Sequence, residues 1–197
     1  MNIIGIAGLP RSGKDSLAEL FISHGYFGVS LGDIVRDESR RRHANEKDPI
    51  SVKNMTETSN YLRTNFGADF ALKQALSRFA KAEASQQYKG LVIFSVRAPI
   101  EVDFIKQNKG KLIWVEASNE VRFRRSQSAR RQGEAEQTLK EMLDQEKLQE
   151  TPQDGLPADV QMDTSYVKRQ ATDIFENNGS SFEEFKNLAI KTFRLYD

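Results

Sequence analysis

Residues 2–7, NIIGIA, form an apolar run, and directly behind it stands GLPRSGKDS, residues 8–16. An unbroken apolar run ending in a glycine turn predicts a strand buried on both faces, which calls for a parallel sheet with helices on either side. The turn has a fixed spacing: Gly8, four residues, then Gly13 and Lys14. Glycine at both ends permits backbone angles and close approaches that a Cβ blocks. A turn leading from strand to helix aims several main-chain N–H groups inward, and the helix N-terminus adds partial positive charge. A polyphosphate fits there, lined by Gly8, Pro10, Arg11, Ser12, Gly13, Lys14, Asp15 and Ser16, with Lys14 reaching its outer oxygens. The plain alternative is a glycine turn of no function. The strand before it and the amphipathic helix after it weigh against that.

The position after Lys14 usually carries a hydroxyl that meets Mg²⁺ beside the phosphates. Here it is Asp15. A carboxylate is also a hard oxygen ligand, so Asp15 is the candidate metal ligand, directly or through water. Ser16 cannot simply replace it, because one step along a helix rotates the side chain by about 100°.

Apolar runs and helical stripes alternate along the rest of the chain. Strands are expected at Tyr26–Ser30, Leu91–Phe94, Lys111–Val115 and Asp173–Glu176. Helices are expected at Lys14–His24, Asp33–His43, Val52 to about Asn65, Asp69–Tyr88 and Pro99–Asn108. They continue at Asn119 to about Gln132, Glu134–Gln149, Val160–Ala171 and Ser181–Leu195. Alternation of this kind builds a doubly covered parallel sheet with right-handed crossovers. The 197 residues suffice for one sizeable core, so a single domain over 1–197 is expected. Trp114 is expected in that core, His24 as a helix-end cation and His43 at the surface. Lys and Arg number 29 against 28 Asp and Glu, which argues against a coat for nucleic acid or an anionic membrane. No cysteine is present, excluding disulfides, zinc–thiolate sites and a thiol nucleophile; this fits a reducing cytoplasm. No window approaches a membrane-spanning run.

With the second strand placed, FGVSLGDIVRDESR, residues 27–40, resembles the segment of adenylate kinases and related nucleoside monophosphate kinases that embraces the phosphate acceptor through a G-D-x-x-R pattern. The resemblance implies that Arg36 grips the acceptor's phosphate and that Asp33 lies near the transferring group. Read without it, Asp33 is a helix cap and Arg36 a solvated arginine. LVIFSVRAPIEVDFI, residues 91–105, resembles the strand-end V-R and P-x-E helix start of phage-type deoxynucleoside monophosphate kinases and archaeal adenylate-kinase-like proteins. It implies that Arg97 is a second clamp. In those relatives an acid just before V-R helps to hold the metal; here those positions are Phe94 and Ser95. ATDIFENNGSSFEEFKNLAI, residues 171–190, resembles the ending of dephospho-coenzyme A kinases, which implies that the loop Asn177, Asn178, Gly179 and Ser180 lies near the donor's adenine. An ordinary strand–turn–helix capped by Ser181 is the alternative.

Five arginines fall within residues 121–131. In the kinase resemblance they form a lid, with Arg122, Arg125 and Arg130 closing on the donor phosphates and Gly133 as hinge. A solvated face and a nucleic-acid surface are the competing readings, and the acidic helix that follows argues against the second. The implied fold is a three-layer α/β/α P-loop kinase with a five-stranded parallel sheet, an acceptor-binding segment at about 33–88 containing Arg63, and a short lid at about 122–150. The implied activity is transfer of the ATP γ-phosphate, with Mg²⁺, to a nucleoside or deoxynucleoside monophosphate by a monomer or homodimer. Dephospho-coenzyme A as acceptor, and a nucleotide-binding regulatory module with little turnover, stay open.

Overall fold

Apolar runs become five strands: β1 (Ile3–Ala7), β2 (Phe27–Ser30), β3 (Leu91–Val96), β4 (Lys111–Glu116) and β5 (Asp173–Glu176). In the computed structural model, which describes residues 2–128, 138–152, 157 and 161–196, they form one sheet in the order β2-β3-β1-β4-β5. Every pairing is parallel. β1 lies at the centre, and all five of its residues are buried, which explains its unbroken apolarity.

Side chains alternate between the two faces as the strand period of two demands. Ile3, Leu91, Ile93, Leu112 and Trp114 pack to one side, Ile4, Ile6, Val92, Ile113 and Val115 to the other. The first face is covered by α2 (Leu31–Arg42), α4 (Phe70–Glu83) and α5 (Pro99–Gln107), with Val167 of α8 (Thr164–Arg169). The second is covered by α1 (Lys14–Ser23) and α9 (Phe182–Phe193). Each wholly buried aliphatic side chain contributes roughly 1.5–3 kcal/mol. The three-layer α/β/α arrangement expected from alternation is the one observed. Because all strands run the same way, the loops after β1, β2, β3, β4 and β5 gather at one edge of the sheet, where open α/β sheets receive ligands.

The remaining helices, α3 (Val52–Phe66), α6 (Asn119–Ser128) and α7 (Leu139–Glu150), stand over that edge. Several boundaries differ from expectation, each for a local reason. α2 begins at Leu31 rather than Asp33, because Ser30 is the cap and its Oγ accepts from the Asp33 N–H at 3.1 Å; Asp33 is therefore not the cap. α4 stops at Glu83, freeing Tyr88 to pack its ring against Phe27 at 5.2 Å. α7 starts at Leu139 instead of Glu134, because Thr138 and Glu141 exchange cap bonds; residue 134 lies outside the described residues. α8 is shorter than 160–171 and is capped by Asp163, whose carboxylate accepts from the Tyr166 N–H at 2.7 Å. His43 is not a plain surface residue: its side chain is 13% exposed and its Nδ1 meets Glu46 Oε1 at 2.6 Å. Trp114 is core, at 2% exposure.

β3 runs two residues further than expected, and its end is irregular. Ile6 pairs with Phe94 but Ala7 with Val96, so Ser95 is skipped in the ladder. Its φ is 63°, a left-handed conformation that costs an L-residue roughly 1–2 kcal/mol. Bulges of this kind re-aim side chains at sheet rims.

Ser181 caps α9 by accepting from the Glu184 N–H at 3.1 Å, as the sequence suggests. Ser181→Ala is expected to destabilise the protein by about 1 kcal/mol, measurable as a lower urea midpoint at unchanged slope. Among the described residues no helix is long and apolar enough to cross a membrane.

Candidate functional site

The loop after β1 takes its shape from two glycines that no other residue can replace without strain. Gly8 has φ 150°, and a Cβ there would meet the Val115 carbonyl oxygen at 2.7 Å. Gly13 has φ 99°, and a Cβ there would meet Asn177 Nδ2 at 2.3 Å. Between them Arg11 also adopts a positive φ of 62°. Gly13 is the N-cap of α1 and no side chain caps that end. The first helical bond runs from Leu17 N–H to the Gly13 carbonyl. The N–H groups of residues 14–16 therefore have no helical acceptor and point out of the helix start, an anion-binding arrangement.

The loop's carbonyl oxygens are held from behind. Asn177, at the end of β5, donates to the Ser12 carbonyl at 2.7 Å. Arg122 Nη1 reaches the Pro10 carbonyl at 3.3 Å. Arg125 Nη1 bonds the carbonyls of Arg11 and Ser12, both at 3.3 Å, while its Nη2 bonds Asn177 and the Gly179 carbonyl. The one-turn spacing of these two arginines on α6 is what lets both meet one loop.

Lys14 is 6% exposed, and its Nζ lies 3.4 Å from Asp15 Oδ2. Burial lowers its pKa from the ordinary lysine value, and Arg97 and Arg36 push the same way while Asp15 opposes. These groups follow three neighbouring parallel strands at one edge of the sheet: Lys14 and Asp15 after β1, Arg36 after β2, Arg97 after β3. Arg36 is ion-paired to Asp33, one turn earlier on α2. Arg97 also has its pKa lowered by burial; Glu101 and Asp15 counter this and Arg63 adds to it.

Two cavities flank the cluster. The larger, about 200 Å³, opens beside Gly13 and Ser16 and is walled by Arg125, Asn177, Gly179 and Phe182. Phe182 is 61% exposed and stacks on Phe185 at 5.8 Å. The smaller, about 30 Å³, lies between α2, α3 and the end of β3. Its lining combines apolar Leu31, Val35, Met55 and Met162 with charged Arg63, Arg97 and Glu101. Ser95 and Gly32 close its floor, and a Cβ on Gly32 would approach Ser95 Cβ at 3.3 Å.

Most candidate residues meet here, with corrections. Ser12 has a wholly buried side chain, so it offers only its main chain to the loop. Arg122 is 1% exposed and paired with Glu146 of α7 and with Asn119 Oδ1 at 2.8 Å; sealed in this way, it ties the loop after β1 to α7. Arg125 sits in the wall of the larger cleft, away from the Lys14–Arg97 cluster. Of the loop expected near the donor's base, Asn177, Gly179 and Ser180 line the larger cleft, whereas Asn178 accepts from the Ser118 N–H at 2.8 Å. Arg63 does line the smaller pocket, in a buried pair with Glu101 at 3.0 Å. Arg130 and Gly133 lie outside the described residues. Reading by sequence missed Phe182, Met162, Glu146 and Glu101. Of these only Glu101 carried a signal, a glutamate two residues after the Pro99 that opens α5.

The sequence matches the AAA domain family AAA_18 over residues 4–149. A UPF0200 protein of Methanothermobacter thermautotrophicus is 28% identical over 138 residues, covering 69% of this chain and 66% of that protein. A UPF0200/UPF0201 protein of Archaeoglobus fulgidus is 27% identical over 188 residues, covering 94% and 53%. The chain thus spans roughly half to two thirds of these relatives' length. Among solved structures, TT1252 from Thermus thermophilus superposes with TM-score 0.50 at 25% identity, covering 98% of this chain and 96% of that one. A shikimate kinase from Bacteroides thetaiotaomicron superposes with TM-score 0.55 at 15% identity, over 98% and 96%, a likeness of fold. The parallel sheet, the glycine loop with its buried lysine and these similarities agree on a P-loop kinase fold, and the chain belongs to the AAA domain family AAA_18.

Proposed function

We propose that the protein is an ATP-dependent phosphotransferase that moves the γ-phosphate to a nucleoside or deoxynucleoside monophosphate. The observation that carries this reading is the uncapped start of α1 with its buried Lys14, at the sheet edge that also holds Arg36 and Arg97. Phosphoryl transfer asks a protein for positioning and charge neutralisation rather than covalent chemistry. In this reading the α1 N-terminus and Lys14 hold the donor's phosphates, and the larger cleft takes its base between the Arg125 guanidinium and the Phe182 ring. The acceptor's phosphate lies between Arg36 and Arg97, and the smaller pocket, at about 30 Å³, widens to admit the acceptor's body against Leu31, Val35, Met55 and Met162. A polyhydroxylated sugar would find few hydrogen-bond partners on that apolar wall; a flat base would be well covered. Asp33, released from Arg36 by the incoming phosphate, orients the acceptor oxygen.

The residues present fit Mg²⁺ of the usual P-loop kind. Asp15 offers a carboxylate that is 56% exposed at the first turn of α1. Among the described residues no three His, Asp or Glu side chains gather to hold a metal alone, so further ligands would be phosphate and water oxygens, which Mg²⁺ favours. When bound, the ion would offset charge on the donor's phosphates.

The test is a panel of nucleoside and deoxynucleoside monophosphates, with dephospho-coenzyme A, shikimate and gluconate as contrasts, incubated with ATP–Mg²⁺ and followed by ADP release. Phosphorylation of a nucleoside monophosphate is expected; transfer only to a contrast would overturn the acceptor assignment. Ser95, standing where the resembling kinases carry an acid, favours a second reading as a nucleotide-binding module. Tight ATP binding without ADP release from any mixture would support it.

A further inference from the structure

Glu101 is a carboxylate that the transfer chemistry does not use, yet it is 2% exposed and lines the smaller pocket together with its partners Arg63 and Arg97. Its Oε1 accepts from Arg63 Nη2 at 3.0 Å. Its Oε2 accepts from the main-chain N–H groups of Arg97, at 2.6 Å, and Ala98, at 3.0 Å. Arg63 is held from the other side as well, by Ser59 Oγ one turn earlier on α3. One side chain thus ties α3, from the segment between β2 and β3, to the irregular end of β3 that carries Arg97.

We infer that Glu101 is a positioning residue, which sets the guanidinium groups of Arg63 and Arg97 side by side in the pocket wall so that both can meet the acceptor's phosphate. The inference rests on reading that pocket as the acceptor site. Two guanidinium groups brought together in a poorly solvated wall repel each other strongly. Glu101, paired with the Arg63 guanidinium and bonded to the Arg97 main chain, offsets one of the two charges and leaves the three groups with a net positive charge. Burial lowers the pKa of Arg97, and Glu101 is the chief group opposing that shift. The carboxylate also satisfies the two N–H groups at the start of α5, where Ala98 has no side chain able to cap. It therefore fixes the direction in which Arg97 leaves the strand.

Glu101→Gln keeps the shape and one acceptor oxygen while removing the charge. Its KM for the monophosphate acceptor is expected to rise about 10-fold, with kcat reduced less and ATP affinity by calorimetry within about twofold. Since the effect runs through Arg63, it should shrink when repeated in an Arg63→Met background, the non-additivity expected of coupled groups. A plain structural brace would lower the melting temperature without moving the acceptor KM, and that result would overturn the inference. Glu101→Asp guards against a misfolded glutamine variant: it keeps the buried charge but is too short to span Arg63 and both N–H groups, so its acceptor KM should rise several-fold, and a wild-type value would overturn the inference. If the wild type neither phosphorylates a monophosphate nor binds AMP or inorganic phosphate, the kinase reading falls and takes this role with it. An active wild type with unchanged KM in both variants removes Glu101's role alone.

Discussion

Lys14→Met is expected to weaken ATP–Mg²⁺ binding by about 100-fold or more, because the ammonium is buried beside the uncapped start of α1 and, in the proposed reading, meets the donor's phosphates there. The same substitution should leave the ligand-free protein as stable as the wild type. The sign follows from the lysine's environment: folding lowers its pKa, so the folded state disfavours its charge, and a methionine of similar length removes that cost. Asp15 loses a partner, but it is more than half exposed and solvates readily. The two effects separate cleanly in a thermal-shift experiment. Without nucleotide the variant should melt with the wild type or above it. With saturating ATP–Mg²⁺ only the wild type should gain stability, since a ligand stabilises in proportion to its binding. Unchanged nucleotide affinity by calorimetry would remove the phosphate-loop assignment.

Arg97→Met is expected to lower kcat/KM for the acceptor by about 100-fold, with ATP affinity within about twofold. The variant is specific because Glu101 holds the main-chain N–H of residue 97, which methionine retains. The end of β3 and the Glu101–Arg63 pair should therefore keep their places, and the experiment isolates the guanidinium. Loss of ATP binding alongside would mean that Arg97 serves the donor side. Wild-type acceptor kinetics would refute the clamp.

What could be read in advance, and what could not, follows the range of the interactions. β1, the glycine loop and α1 were legible because their signals are contiguous: an apolar run, two glycines at fixed spacing and an amphipathic stripe. β5 was legible residue for residue, since the run DIFE is bounded by Thr172 and the NNG turn. Helix starts slipped where the cap lay away from the expected first residue: Ser30 precedes Asp33, and Thr138 follows Glu134. The irregular end of β3 was hidden because Ser95 is not a glycine, and nothing local announces its left-handed backbone. Asn178 and Asn177 are adjacent amides of one loop, and only the packing of α6 decides which of them faces the cleft. The Arg63–Glu101 and Arg122–Glu146 pairs span 38 and 24 residues, and no period or motif brings them together. Each depends on how a helix over the sheet edge docks. Lid arginines looked alike in sequence, yet Arg122 is sealed while Arg125 borders open space.

The bracing of the loop by α6 and β5 has a thermodynamic consequence. The carbonyl groups of Pro10, Arg11 and Ser12 already have donors, so the backbone has nothing left to order when a polyanion arrives. Its entropy was surrendered during folding, and association then costs mainly the ligand's own freedom and its water. Affinity is thus written partly in residues that never touch the ligand, and a loosened α6 would show itself as a floppier cradle with a larger entropic penalty of capture.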